Sequence, residues 1–534
     1  MPLLGIGQSA LMAAYAQLQT TGHNIANANA PGYSRQEAVF ATAGARQTGG
    51  GFLGWGVDLV TVQRRYDRFL ASELASSTAA SAADTARAAH LERLQRVLAD
   101  TDHGVGAALD DLNVALADVV NRASDPTARE VVVQRAETLA QRIRSADAQM
   151  LALGRDADEQ IAHSAGRVNE LLRQFAGLNE RIAAVRASGH TPNDLLDERD
   201  RVLLQLNGYL KVDAHEQDDG TMSLFAAGGQ ALLVGSSVAT LEVSDTDPPS
   251  KLQVFLKNGT TTMPMQASSF GGGSIGGWMR FRDEDLHETR ARFSELAEAI
   301  AETYNDRQAL GTTPNGVPGQ AMFSWGSNGH FDFRSLLVSG TQLASAYPVA
   351  VELDPNNSAE VTLAAFDVDG AIATTPVAIR FDGNGNYELI DSGGNSLGAG
   401  TYSPGSIVVS HEGWSLTLRG APQDGDVVHV VPNANPGTDG RNARRMIFDS
   451  EGLTDSFATI IGDLGARTQS AQASRTASAG LLSNAQAAHA EHSAVNLDEE
   501  AARLLQYQQM YQAAAKVIQT AQSMFDTLLS ATAR

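Results

Sequence analysis

Residues 495–529 read VNLDEEAARLLQYQQMYQAAAKVIQTAQSMFDTLL, and residues 1–27 read MPLLGIGQSALMAAYAQLQTTGHNIAN. In the first stretch Leu497, Leu504, Tyr511, Ile518 and Phe525 recur every seven residues; in the second Leu4, Leu11, Leu18 and Ile25 do the same. A strict seven-residue repeat keeps one narrow apolar ribbon on one side of a helix, the pattern that helix-to-helix packing needs. Three positions past the C-terminal ribbon stand Tyr507, Ala514, Ala521 and Leu528, where small side chains permit close approach. Neither ribbon has a second apolar face, and an isolated helix of this kind is marginal in water. The two ribbons therefore need partners: each other, or another subunit.

Between about residues 70 and 210 the pattern is helical with breaks. Asp125-Pro126 starts a long run to about Ala187, because an acidic cap and a proline in the first turn both suit a helix start. Gly189-His190-Thr191-Pro192 breaks it, and the Thr191/Asp194 spacing reads as a capping box for the next helix. Short β-type runs follow at Ser223–Phe225, Ala231–Val234 and Lys251–Leu256. The glycine run Gly271–Gly277 reads as a linker or turn, with a helix from Trp278 to about Tyr304. A second β segment, about Val338 to Pro432, carries turn signals spaced as in an antiparallel sandwich or barrel. Helix returns near Arg441.

The fold expected is α + β and multidomain. The N- and C-terminal helices pair as a coiled-coil-like inner domain of residues 1–60 plus 480–534. A mainly helical middle domain takes 61–210, 272–310 and 438–479, a small β insertion takes 211–271, and a β-rich outer domain takes 320–437.

The chain of 534 residues carries a net charge of −22 and no cysteine. So acidic a chain without a basic patch is a poor partner for nucleic acid, since phosphates repel it. The most basic stretches are Arg64-Arg65 and Arg441, Arg444, Arg445. Lack of cysteine removes disulfides, thiolate metal sites and thiol nucleophiles together. No run of about 18 apolar residues is present to span a bilayer, and the first residues lack the basic start of a Sec-type signal.

Chemistry-bearing motifs are weak. The pattern G-x-S-x-G occurs at Ser274, with Asp283 and His287 as nominal partners, and at Ser396; among 50 glycines such matches arise by chance. Asp382 opens a calcium-loop-like stretch, but Tyr387 and Gly393 stand where Gly and Glu are needed, so a hairpin turn is the better reading. His489 and His492 share a helix face with no third ligand, Glu491 pointing elsewhere. GIGQSA at Gly5 lacks the preceding strand of a dinucleotide site. Asp283-Glu284-Asp285 reads as a solvated helix start. No catalytic, cofactor or metal residue is therefore expected.

The stretch Ser9–Gln36, SALMAAYAQLQTTGHNIANANAPGYSRQ, closely resembles the N-terminal signature of bacterial flagellar axial proteins. The matching positions are Asn24 to Asn27 and Pro31 to Gln36, with Ala30 where threonine is usual. Gly51–Leu70, Thr191–Leu206, Gly272–Leu286, Gly440–Met446 and Val495–Leu529 narrow the resemblance to the hook-associated protein 1 family, while Tyr304–Gly319 departs from its pattern. The resemblance implies a structural subunit of the junction between hook and filament. It also implies export through the flagellar type III conduit without a cleaved signal, and terminal helices packed innermost in a tube. Implied partners are other copies of the chain, hook protein, hook-associated protein 3 and an export chaperone on the C-terminal helix, with neither nucleic acid nor membrane involved. Asn24, Asn27, Pro31, Gly32, Tyr33 and Arg35 are the signature turn, where Tyr33 and Arg35 are expected to reach a neighbour or to cap the helix internally. Alternatives are hook or distal rod protein, an axis-borne enzyme, and an adhesive role for the second β segment.

Overall fold

A computed structural model describes residues 2–48, 51–100, 102–245, 252–326, 331–403 and 405–532. Its helices are α1 (Pro2–Asn27), α2 (Arg68–Leu98), α3 (Val105–Asn121), α4 (Pro126–Ala187), α5 (Asn193–Tyr209), α6 (Ala267–Phe270), α7 (Gly273–Arg280), α8 (His287–Leu310), α9 (Arg441–Ser493) and α10 (Leu497–Thr532). The strands fall into small antiparallel sheets. Residues 36–64, passed over by a helical reading of the first sixty residues, form β1 (Gln36–Thr42), β2 (Ala45–Thr48), β3 (Gly51–Gly54) and β4 (Val57–Arg64). β1 pairs with β4 and β2 with β3.

The chain divides into two compact units. The first holds residues 1–91, 155–284 and 468–534, the second 92–154 and 285–467. In the first unit, β5 (Val212–Glu216), β6 (Met222–Ala226), β7 (Ala231–Val234) and β8 (Ser237–Val238) form one sheet in sequence order. β9 (Thr240–Asp245), β10 (Leu252–Asn258) and β11 (Thr261–Met265) form another. Lys251, expected to open the β10 run, lies outside the described residues. One core joins these strands to α4 and α5. Ile161, Val168, Leu172 and Phe175 of α4 recur three, four or seven apart and meet Val202 and Leu206 of α5, Leu224, Leu233 and Leu256. A helix whose apolar residues follow that spacing buries one stripe and leaves the rest wet.

Local chemistry sets the boundaries. Asp125 Oδ1 accepts the Thr127 amide at 2.8 Å and starts α4. The expected Thr191 capping box does not form: no side chain caps α5, and Thr191 Oγ1 lies 3.4 Å from Thr61 Oγ1 instead. The glycine run is less a linker than a packing device. Gly271 and Gly272 make the turn, and α7 begins at Gly273. A Cβ at Gly273 would strike the Tyr209 backbone and one at Gly277 the Ala83 carbonyl, so only glycine lets α7 lie that close. Of the three acids expected at a solvated helix start, Glu284 is exposed, Asp283 half-buried and Asp285 buried, and none opens an α-helix. They lie in a π-helical turn, Phe281–Leu286, where Arg282 bonds Asp283 at 2.9 Å.

In the second unit, β12 (Phe323–Gly326) pairs with β13 (Asp332–Ser335). The remaining strands are β14 (Val349–Leu353), β15 (Thr362–Val368), β16 (Val377–Asp382), β17 (Asn386–Asp391), β18 (Ser396–Thr401), β19 (Ile407–His411), β20 (Trp414–Arg419) and β21 (Asp424–Pro432). They make a five-stranded sheet, β14-β21-β16-β17-β18, and a three-stranded sheet, β15-β20-β19. Phe366, Val409, Leu416 and Leu418 of the smaller sheet share one core with Ile379, Phe381, Leu389 and Val428 of the larger, so this segment is a two-sheet antiparallel structure. Asp382 Oδ1 accepts the amides of Asn384 and Asn386 at 2.8 and 2.9 Å, which fixes the β16–β17 hairpin turn. Those bonds, with the Asn386 side chain foremost, hold the Asp382 carboxyl below its ordinary pKa.

Candidate assembly site

The two ends of the chain meet as an antiparallel helix pair. Gly7 of α1 faces Ile518 of α10, so that a Cβ at Gly7 would lie 2.9 Å from Ile518 Cγ1. Near the other end Asn24 Nδ2 donates to Glu500 Oε2 at 3.1 Å. The buried line of α1 is Gly7, Ala14 and Thr21; that of α10 is Glu500, Ala514 and Ala521. Both lines keep the seven-residue period but stand three positions past the leucine ribbons. The reason is steric, because small side chains let the axes approach while larger ones straddle the contact. Leu11, Leu18, Ile25, Leu504 and Ile518 are consequently half-buried flanks, whereas Leu4, Leu497, Tyr511 and Phe525 are exposed. The pair leaves more apolar surface uncovered: Met12 is 61% exposed, Met524 53% and Leu528 55%. Contiguous exposed apolar surface marks an interaction site.

Asn496 starts α10 by accepting the Asp498 and Glu499 amides at 3.0 and 3.3 Å. Acidic residues at 498–500 then face the positive end of the helix dipole.

The signature turn locks this pair at its base. Asn24 is fully used: Oδ1 accepts the Gln36 amide at 2.9 Å and the Tyr33 hydroxyl at 2.8 Å, while Nδ2 donates to the Gln36 carbonyl and to Glu500. Burial, helped by the negative field of Asp194, Asp197 and Glu500, pushes the Tyr33 phenol well above its ordinary pKa, so it stays a neutral donor. Asn27 Nδ2 donates to the His23 carbonyl at 3.0 Å, closing the helix end. Pro31 is exposed, and Gly32 follows with φ of +77°, a left-handed turn that favours glycine. Arg35 Nε reaches Glu500 Oε1 at 2.7 Å, and its amide donates to the Ser493 carbonyl at 2.8 Å. Arg35 is thus paired inside its own chain, and half-buried Tyr33 is occupied with Asn24, the contacts of the internal-cap alternative.

Residues outside the signature complete the lock. Asp197 of α5 takes the Ser34 amide at 2.9 Å and Arg64 Nη1 at 2.8 Å, and Asp200 takes the same guanidinium at 2.7 Å. Burial alone would depress the Arg64 pKa, but the two carboxylates hold it above the ordinary arginine value. Arg64 also stacks over Tyr66, its carbon 4.3 Å from the ring centre, and burial pushes that phenol up to about 12. Nothing in the sequence singles these charges out, because α5 also carries Asp194, Glu198 and Arg201; only the fold shows which are buried and paired.

The weak chemical motifs find no catalytic setting. Ser274 lies within α7 and Ser396 on β18, neither on a strand-to-helix elbow. His489 Nδ1 lies 3.2 Å from Ser493 Oγ. Among the described residues, no group of three or more His, Asp or Glu is arranged to hold a metal ion, and no helix is long and apolar enough to cross a membrane.

Residues 4–33 match the family described as flagella basal body rod protein, and residues 486–531 the flagellar basal body rod FlgEFG protein C-terminal family. Residues 91–323 match the flagellar hook-associated protein FlgK helical domain. The flagellar hook-associated proteins 1 of Salmonella typhimurium and Escherichia coli K12 are each 28% identical to the chain, over 99% of both sequences. That of Bacillus subtilis is 23% identical over 99% of this chain and 97% of its own. The solved flagellar hook junction protein FlgK from Burkholderia pseudomallei superposes with a TM-score of 0.70 at 20% identity, covering 78% of this chain and 99% of that one. The chain is therefore similar along its whole length to flagellar hook-associated proteins 1, and residues 91–323 match the FlgK helical domain.

Proposed function

We propose that this chain is a structural subunit of the bacterial flagellum that forms a layer at the hook–filament junction and has no catalytic role. The observation that carries the reading is the α1–α10 pair: closed on itself through glycine, alanine and threonine, it leaves its larger apolar side chains outward. Leu4, Leu497, Tyr511 and Phe525, with the outer flanks of Leu11, Leu18, Ile25, Leu504 and Ile518, then serve contacts between subunits around a channel. Each leucine so buried contributes about 1.5–3 kcal/mol. Ordering helices that are marginal alone offsets much of that gain, which ties completion of the pair to arrival at the growing tip. Asn24, Asn27, Pro31, Gly32, Tyr33 and Arg35 hold the pair at its base.

In this reading the subunit leaves the cell through the flagellar type III conduit without a cleaved signal, its α10 shielded by an export chaperone beforehand. Hook protein lies below the layer and the second junction protein above it. Electron microscopy of a deletion strain tests the reading: hooks without filaments support it, and absent hooks contradict it. Complementation with an Ile518→Asp chain should fail to restore filaments, and full restoration would count against assembly through these helices.

A further inference from the structure

On the side of α1 that β4 flanks, α1 borders a trough. Ser9 Oγ accepts the Val57 amide at 3.3 Å, and Gly56, with φ of +108°, lets the strand lie against Ser9 where a Cβ would collide. One cavity of about 580 Å³ runs from Gly5 to Gln19 beside Val57–Leu59. A second, of about 1120 Å³, shares Gln19 and Leu59 and continues past His23 and Val60. From Gly5 to His23 the trough is about 27 Å long at the α-helical rise. Its apolar lining is exposed: Met12, Tyr15, Leu59 and Val60.

Charge is scarce here in a chain otherwise rich in it. No charged residue occurs between Pro2 and Ser34, and the Gly5–Gln19 part of the trough is lined by one, Asp58. On α10 the span from Leu504 to Phe525 contains one, Lys516. Both are exposed, and neither pairs with an opposite charge among the described residues. Beside Lys516, α10 carries a second seven-residue row, Met510, Val517 and Met524, that its own α1 covers only in part, Val517 Cγ1 standing 3.4 Å from where a Gly7 Cβ would lie. That row spans about 21 Å, within the length of the trough.

We propose that the trough of one copy receives the α10 of a second copy, with Met510, Val517 and Met524 on the apolar floor and Lys516 against Asp58. The two isolated opposite charges set the register along Gly5–Gln19, where the rest of the lining carries no charge and the contact is apolar; past Gln19 the trough is also lined by Arg181 and Asp194. Trough and row are different surfaces of one chain, so the contact is head-to-tail; repeated, it closes a ring or winds a helix, as a tubular layer requires. The inference rests on the assembly reading above and names its contact.

The absence of cysteine allows a direct test. Full-length chains carrying Asp58→Cys and Lys516→Cys are co-produced in a strain lacking the wild-type copy, with Leu59→Cys and Val517→Cys as a second pair. Isolated hook–filament junctions are treated with a short bismaleimide. The expected result is a product of twice the chain mass from each mixed pair and none from any variant alone. Junctions that incorporate the variants yet give no such product from either pair overturn the docking and leave the assembly reading standing. A Leu59→Cys product with a protein of different sequence also overturns it. A wild-type chain that never appears at the hook tip overturns the assembly reading, and the docking with it.

Discussion

Arg35 and Glu500 stand 465 residues apart in the sequence and meet through Nε and Oε1 at 2.7 Å, with side chains 5% and 1% exposed. This ion pair joins the end of the signature turn to the first turn of α10. Removing Arg35 strands Glu500 as a buried charge, which costs about 3–5 kcal/mol, whereas Arg35 without Glu500 keeps Glu499 at 3.5 Å. Arg35→Met should lower the urea midpoint of the first unit accordingly. The double variant Arg35→Met, Glu500→Leu should lose less than the single one, because no charge is stranded. Equal losses would show that the pair is not sealed from water.

Close approach of the two terminal helices depends on Gly7. Its missing Cβ leaves room for Ile518 Cγ1, so Gly7→Leu overpacks the contact at about 1–3 kcal/mol. Hydrogen exchange of the α10 amides should speed up in that variant, most of all around Ile518, while the second unit is unaffected. Unchanged protection there would place the helix contact elsewhere.

Gly32 offers a test free of packing. An added Cβ finds only ordinary contact, 3.7 Å from the Arg201 Cβ, but φ is +77°. A left-handed conformation costs an L-residue roughly 1–2 kcal/mol, less for asparagine. Gly32→Val should therefore destabilise by about that amount and Gly32→Asn by less, read from thermal melts. The reverse order would contradict the turn geometry.

The unit holding the helix pair should also weaken in mild acid. Burial pushes the His489 imidazole below its ordinary value of 6.5, with Asp200 opposing and His492 and Arg64 reinforcing. The unfolded chain then takes up a proton more readily than the folded one. Stability from this group is complete above about pH 6.5 and is lost as the pH falls toward the depressed folded value. His489→Gln should flatten the stability–pH curve in that window, and an unchanged curve would assign the acid sensitivity to another group.

Much of this architecture is written in local chemistry. The Asp125-Pro126 start and the Gly189–Pro192 break bracket α4, and the heptads of residues 1–27 and 495–529 announced two helices in need of partners. What escaped is non-local. The leucine ribbons are the more visible repeat, yet the helices close three positions away, because the seam is chosen by how near two backbones can come. Strands β1 to β4 are short and broken by glycine, so their alternation is weak. Arg35 reads as a free cation until folding brings Glu500 to it, and Arg64, Asp197 and Asp200 read as surface charges until the same fold pairs them.

In the assembly proposed above, α1 and α10 pair antiparallel and build the subunit into a hollow shaft. Electron cryomicroscopy of the intact hook–filament junction tests it most directly. The account predicts density for this chain with Gly7 beside Ile518 and Asn24 beside Glu500, and with Met510, Val517 and Met524 covered by a neighbouring copy. A map in which the two terminal helices stand apart, each bathed in solvent, would contradict it.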